Sequence, residues 1–182
     1  MGYAYKISDQ HGLYYVTFTI KDWVDIFTRN EYRFTVTNSI NHCIKEKGLE
    51  VYAWVLMTNH LHAILSSSKD DLSNIIRDFK KFTSTQIIEA IEQNGKESRS
   101  RWLLLWLLKQ KTDAGGDKKQ LWQSGNHPEE IRTEKFYKQK MQYIHQNPVR
   151  AGWVRNEEDY EWSSAGYFYK KPTAITLSFY NG

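Results

Sequence analysis

Two histidines separated by one residue, His60-Leu61-His62, stand inside a largely apolar stretch of this chain, residues 51–65 (VYAWVLMTNHLHAIL). On a strand, side chains two apart share a face, so both imidazoles would stand side by side above a sheet. Such a pair can hold a divalent metal, and a metal held there can polarise a phosphoryl group or activate a water. The spacing alone also arises by chance, with each ring hydrogen-bonded in a core, so the rest of the chain must decide. Far downstream, Tyr143 and Asn147 are four apart at the end of a helical pattern, with Arg150 in the same turn region. Arg77, Lys80 and Lys81 fall on the solvent side of another helical pattern, usually a solvated face but one that can also meet a phosphate backbone.

The elements that would position these groups are readable from periodicity. Residues 13–20 (LYYVTFTI) are β-branched and aromatic with Thr17 and Thr19 on one face, a first strand. Over residues 31–47, Tyr32, Val36, Ile40, Cys43 and Ile44 follow helical spacing, and Gly48 is placed as the stop. Residues 51–65 read as two strands joined by a tight turn near Thr58-Asn59, or as one long strand with a break there. Asp70 or Asp71 then caps a second long helix marked by Leu72, Ile75, Ile76, Phe79, Ile87 and Ile91. Residues 102–108 (WLLLWLL) have no clean face and imply a buried short helix or a self-association surface; residues 113–119 read as a polar, Gly-containing loop. Leu121-Trp122-Gln123 is expected as a fourth, edge strand. A third helix is expected over residues 130–146, ended by Pro148, because proline disfavours helical geometry before it and lacks a donor.

Strand, helix, strand, strand, helix, strand is the order of an α+β, ferredoxin-like split βαβ sandwich: an antiparallel sheet with helices on one face, its other face open to a ligand, plus the C-terminal helix bearing Tyr143. At 182 residues the chain is expected to be one domain, 1–182. A single cysteine, Cys43, and an N-terminus without a signal-peptide core point to a cytoplasmic protein. No membrane partner is expected, since the longest apolar run falls far short of the ~20 residues a membrane helix requires. The net charge of +4 is a weak argument for nucleic acid by itself; the basic residues cluster over 77–81, 99–101, 109–119 and 135–155. Aromatic residues make up 15% of the chain, and such rings can stack on unpaired bases.

The ordered set of His60-Leu61-His62 and Tyr143-Ile144-His145-Gln146-Asn147-Pro148-Val149-Arg150-Ala151-Gly152 resembles the single-tyrosine HUH transposases, most closely their REP-associated tyrosine transposase branch. Val55-Leu56-Met57-Thr58-Asn59, Leu121-Trp122-Gln123 and Trp162-Ser163-Ser164 add to the match, which spans residues 13–164. Thr58 stands where that family commonly has proline, and the Trp/Leu-rich segment after residue 94 has no counterpart. The resemblance implies a ferredoxin-like domain that cuts and rejoins single-stranded DNA beside hairpins, repetitive extragenic palindromes or element ends, at the nucleoid, as a monomer or homodimer. It implies Tyr143 as nucleophile, forming a 5′-phosphotyrosine, and His60, His62 and Asn147 as metal ligands.

A phenol is a poor nucleophile near neutral pH, its ordinary pKa being about 10, so position, a metal's field or a nearby base must activate it. Two imidazoles and an amide oxygen are neutral, leaving a divalent ion its full charge for a phosphate. Mg²⁺ is expected by abundance, with Mn²⁺ able to substitute because imidazoles suit it. Arg150, Lys140, Arg77, Lys80 and Lys81 are candidate phosphate contacts, and Trp122 and Trp162 candidate base-stacking rings. Three other readings remain at this level: a metal-dependent nuclease using water, in which Tyr143→Phe would still cut; a domesticated hairpin-binding protein that no longer cuts; and a metal-stabilised structural module, which a chelator would destabilise.

Overall fold

The computed structural model describes residues 6–109 and 120–180. Four antiparallel strands form one sheet in the order β2-β3-β1-β4, with β1 at Tyr14–Thr19, β2 at Leu49–Leu56, β3 at His60–Ser67 and β4 at Glu129–Glu130. Helices α1 (Asn30–Lys47) and α2 (Leu72–Gln93) cover one face, where Ile40, Ile75, Ile76 and Phe79 meet Phe18, Leu61, Ala63 and Leu65. This is the α+β sandwich expected from the element order. Gly48 ends α1 at φ 75°, its N–H reaching Cys43 O, as the glycine position implied. Asp71 stands at the N-cap of α2, yet its carboxylate accepts from the Asn74 side chain rather than from the helix backbone.

The β2–β3 turn is held from outside. Two-residue hairpin turns usually need positive φ, and neither Thr58 nor Asn59 has it. Instead, the Thr58 hydroxyl and the Asn59 amide both donate to the Asp25 carboxylate, Phe27 N–H donates to Thr58 O at 2.7 Å, and Ile20 N–H donates to Asn59 O at 2.8 Å. Thr58 therefore does work that a proline could not, because proline has no hydroxyl.

The far edge departs from expectation. Leu121-Trp122-Gln123 contributes only a single bridge, Ile20 to Trp122, with hydrogen bonds from Lys21 N–H to Leu121 O and from Gln123 N–H to Thr19 O. Gly125 and His127, at φ 78° and 43°, break the run, and pairing resumes at β4, where Glu130 and Glu129 face Tyr14 and Tyr15. Lys80 plugs the broken stretch: its ammonium donates to Gln123 O at 2.7 Å, Gly125 O at 3.2 Å and Asn126 Oδ1 at 3.0 Å, and burial lowers its pKa to about 8. Lys80→Met is expected to lower the urea midpoint by the equivalent of about 1–3 kcal/mol, since it leaves part-buried oxygens without a donor. An unchanged midpoint would show that water replaces the ammonium at no cost.

The other edge is closed by the tail. Leu56 N–H donates to Trp162 O, Ser164 N–H donates to Trp54 O, and Ser163 bridges Val55, so the Trp162-Ser163-Ser164 motif covers the C-terminal end of the outer side of β2, and Ser178 N–H reaches Val51 O farther along.

Helix α4 (Glu134–Arg150) corrects the expected span at both ends. It begins after Thr133, whose hydroxyl caps Phe136 N–H, because the preceding residues are committed to β4. It runs through Pro148, which sits in the last turn and so forfeits one hydrogen bond without bending a continuing helix. Ala151 N–H still reaches Asn147 O, and the left-handed Gly152 at φ 74° ends the element. Helix α4 crosses the sheet face opposite α1 and α2, so that face is partly covered rather than open. Residues 102–108 lie in α3 (Ser100–Leu108), with Leu103 and Leu107 buried and Trp102, Leu105 and Leu108 exposed. The loop expected over residues 113–119 lies outside the described residues. Among the described residues no helix is long and apolar enough to cross a membrane.

Candidate active site

Pairing of β1 with β3 puts Thr17 opposite His62 and Thr19 opposite His60, all on the sheet face that α4 crosses. The two imidazole rings stand 4.7 Å apart between centroids. His62 is buried; its Nδ1 meets the Tyr15 hydroxyl at 2.8 Å and Thr17 Oγ1 at 2.9 Å. His60 Nδ1 lies 2.7 Å from Asn59 Oδ1. The orientation of that amide is settled by its surroundings: Asn59 Nδ2 faces Trp23 O and the Asp25 carboxylate, both acceptors. Its oxygen therefore faces His60, Nδ1 of His60 must carry the proton, and Nε2 holds the free lone pair.

Pro148 lying within α4 has a direct consequence for the site. Lys140, Tyr143, Asn147 and Arg150 are spaced by three, four and three residues and so form one stripe along the helix. The opposite side of the helix is anchored: Ile144, His145 and Pro148 are buried, and His145 Nε2 lies 2.8 Å from Ser164 Oγ. The tail motif thereby fixes the rotation of α4 and presents the stripe to the histidines. The Tyr143 ring lies 5.5 Å from His62 and 6.2 Å from Tyr15, with 38% of the residue exposed. Asn147, one turn further along α4, is near enough to His60 to influence its protonation. Arg150 lies over the Tyr143 ring at 5.3 Å; Lys140 lies over Tyr15 at 4.2 Å and pairs with Glu129 at 2.7 Å.

Both imidazoles are biased toward the neutral form that a metal requires. Burial lowers the pKa of His60, partly offset by the Asn147 hydrogen bond and the Asp25 charge. Burial, then His60 and Lys140, push His62 down to about 3. The donor set fits a divalent ion: both Nδ1 atoms are engaged by protein oxygens, which orients the rings, and Asn147 brings an amide to the same place. Among the described residues there is no cluster of three or more His, Cys, Asp or Glu side chains suited to a metal, so an ion here would need the Asn147 amide beside the two imidazoles. Burial also raises the Tyr15 phenol, keeping it neutral as a partner for His62.

Other residues singled out in the sequence are placed elsewhere. Arg77 and Lys81 are exposed on α2, against the opposite sheet face; Arg77 is engaged by Asn74 and Asp78, and Lys80 is the plug described above. Trp122 is 1% exposed and donates to Thr83 Oγ1 at 2.9 Å, so it is core and has no face for a base. Trp162 is likewise buried, with Arg33 over its ring. Tyr15, Thr17, Asn59 and Asp25 were not singled out for the site. The face already marked by Thr17 and Thr19 on the first strand includes Tyr15 by alternation; Asp25 had no local signal.

Burial also holds His145 down to about 4. An unfolded histidine takes up its proton near pH 6.5, so between that value and about 4 the unfolded chain binds more protons than the folded one. Stability is full above the unfolded value and falls with pH through this window, by up to about 3 kcal/mol from this residue, and His62 acts in the same direction. Urea midpoints measured from pH 7 to pH 4 are expected to fall steadily, and His145→Gln is expected to flatten the slope; an equal slope in the variant would remove His145 as a cause.

Comparison with known proteins finds likeness in both sequence and fold. A curated protein described as REP-associated tyrosine transposase, from Escherichia coli (strain K12), is 28% identical over 142 residues, covering 75% of this chain and 68% of its own. A solved structure of a REP-associated tyrosine transposase bound to a REP hairpin superposes with a TM-score of 0.67 at 20% identity, over 98% of this chain and 93% of that one, a likeness of fold. Residues 10–109, from before β1 to the end of α3 and including His60 and His62, match the family described as Transposase IS200 like. With more than half its length in that match, the chain belongs to the IS200-like transposase family.

Proposed function

We propose that this chain, acting as one catalytic domain, cleaves and rejoins single-stranded DNA next to hairpins, with Tyr143 as nucleophile. His60, His62 and Asn147 would hold a divalent metal, Mg²⁺ by abundance with Mn²⁺ as a substitute, and the hairpin partner follows the relative bound to a REP hairpin. The observation that carries this reading is the meeting of an exposed tyrosine and an amide, one helical turn apart on α4, with the two oriented imidazoles of β3. A metal in that shell would supply Lewis-acid charge to the phosphate.

The Tyr143 phenolic oxygen attacks phosphorus, losing its proton; the P–O3′ bond breaks and the departing oxygen leaves as a 3′-hydroxyl. The product is a 5′-phosphotyrosine. Because the ester keeps the energy of the broken bond, a 3′-hydroxyl can reverse the step and join DNA without ATP. Arg150 and Lys140 flank Tyr143 on the same stripe and favour the negative charge that develops on the attacking and phosphoryl oxygens. Tyr143 reaches His62 of its own chain, which supports a site assembled within one protomer. Acting on chromosomal hairpins, the protein would work in the cytoplasm at the nucleoid.

The test incubates the protein with end-labelled hairpins from the DNA flanking its gene, with Mg²⁺, Mn²⁺ or EDTA, on a denaturing protein gel. A metal-dependent labelled protein band is expected. Free cleaved DNA without an adduct would favour hydrolysis by water, and binding without cutting would favour a binder that no longer cuts.

A further inference from the structure

Trp23 stands beside His60, with ring centroids 5.7 Å apart and planes at 70°, yet 58% of it is exposed. Its backbone is left-handed at φ 57°, directly after Asp22 at φ 56°. Residues with a Cβ rarely enter that region, and two in succession persist only where surrounding contacts hold them. Three elements do so here. Trp23 N–H donates to Ile20 O at the end of β1, the Asn59 amide in the β2–β3 turn donates to Trp23 O at 3.2 Å, and Trp106 Nε1 on α3 donates to Asp22 Oδ2 at 2.9 Å. The same Asn59 side chain that sets the His60 tautomer thus helps hold the backbone that carries the indole. The Trp/Leu-rich segment, unexplained in the sequence, reaches the site rim through Trp106.

We propose that Trp23 stacks on an unpaired base adjoining the scissile phosphate, a contact that rests on the reading of His60, His62 and Asn147 as the cleavage centre. An indole offers every base a flat apolar face without reading its edges, and one carried on a held backbone loses less freedom on stacking. Trp122 and Trp162 are buried, whereas Trp23 is exposed beside the histidines. Trp23 would therefore hold the flank of the hairpin in register, and sequence choice would come from other contacts.

The test measures binding by fluorescence anisotropy in the uncut Tyr143→Phe background, using flanking-DNA hairpins in which each single-stranded nucleotide in turn is made abasic. Trp23→Ala is expected to weaken binding of intact DNA about tenfold, and one abasic position next to the cut to weaken the parent equally. Combining the two should cost no more than either alone. Trp23→Phe should recover most of the loss, and thermal unfolding shows whether each variant is folded. Equal binding by Trp23→Ala, or fully additive losses, would overturn the stacking contact while the adduct of the Tyr143 protein still stands. If the Tyr143 protein forms no adduct with any hairpin or metal, the cleavage reading fails and this inference fails with it.

Discussion

Tyr143→Phe is expected to abolish the covalent protein–DNA band and to lower strand cleavage by at least about 10⁴-fold, because the variant lacks the attacking oxygen and nothing else in the stripe replaces it. The substitution removes one hydroxyl from a residue that is 38% exposed, so the fold should be kept and the melting temperature should stay close to that of the parent. Hairpin affinity should also stay close, since the ring remains against His62 and beneath Arg150. That combination makes the measurement decisive: quantified adduct, cleaved DNA and binding are compared for both proteins on one substrate. Undiminished cutting by the Phe variant would rule out the phosphotyrosine route and leave an activated water as nucleophile.

His62→Ala is expected to lower cleavage by more than about 100-fold, since loss of a mere outer-shell partner of a metal ligand already costs about 10–100-fold. Here a direct ligand would be lost, and with it the ring that meets Tyr143 edge-on. Unlike the tyrosine variant, this one should respond to metal concentration: raised Mn²⁺ should recover part of the rate, because His60 and Asn147 still offer two donors. At neutral pH the truncation leaves the Tyr15 hydroxyl without its imidazole partner and should cost about 1–3 kcal/mol, a loss that shrinks below pH 6.5 as a ring that resists protonation when buried is removed. The checks are cleavage rate against Mn²⁺ concentration and a urea titration at two pH values. Cleavage at the parent rate, independent of metal, would remove His62 from the site.

The histidine pair was legible because strand alternation is a local rule: apolar residues 51–65 with two imidazoles two apart could only put both on one face. The same holds for α1, α2 and their shared sheet face, whose apolar spacing and Gly48 stop are written in contiguous residues. Lys80 and Trp122 show the limit of such rules. A lysine in a polar helical stripe looks solvent-facing, and a tryptophan in an isolated short run looks available, until the irregular chain between Gln123 and Asn126 closes over one and Thr83 accepts from the other.

By itself the sequence determined the element order, the shared face of His60 and His62, and the four-residue interval between Tyr143 and Asn147, since each depends on backbone periods of two or 3.6 residues. Only the tertiary structure decided whether those groups meet. Helix α4 continues through Pro148 because its last turn tolerates one missing hydrogen bond, and its rotation is set by His145 against Ser164, nineteen residues away. The His60 tautomer depends on Asn59 locked by Asp25, and the orientation of the His62 ring on Thr17, paired with it across 45 residues of chain. Contacts of that range are fixed by strand register and packing, which no local period encodes.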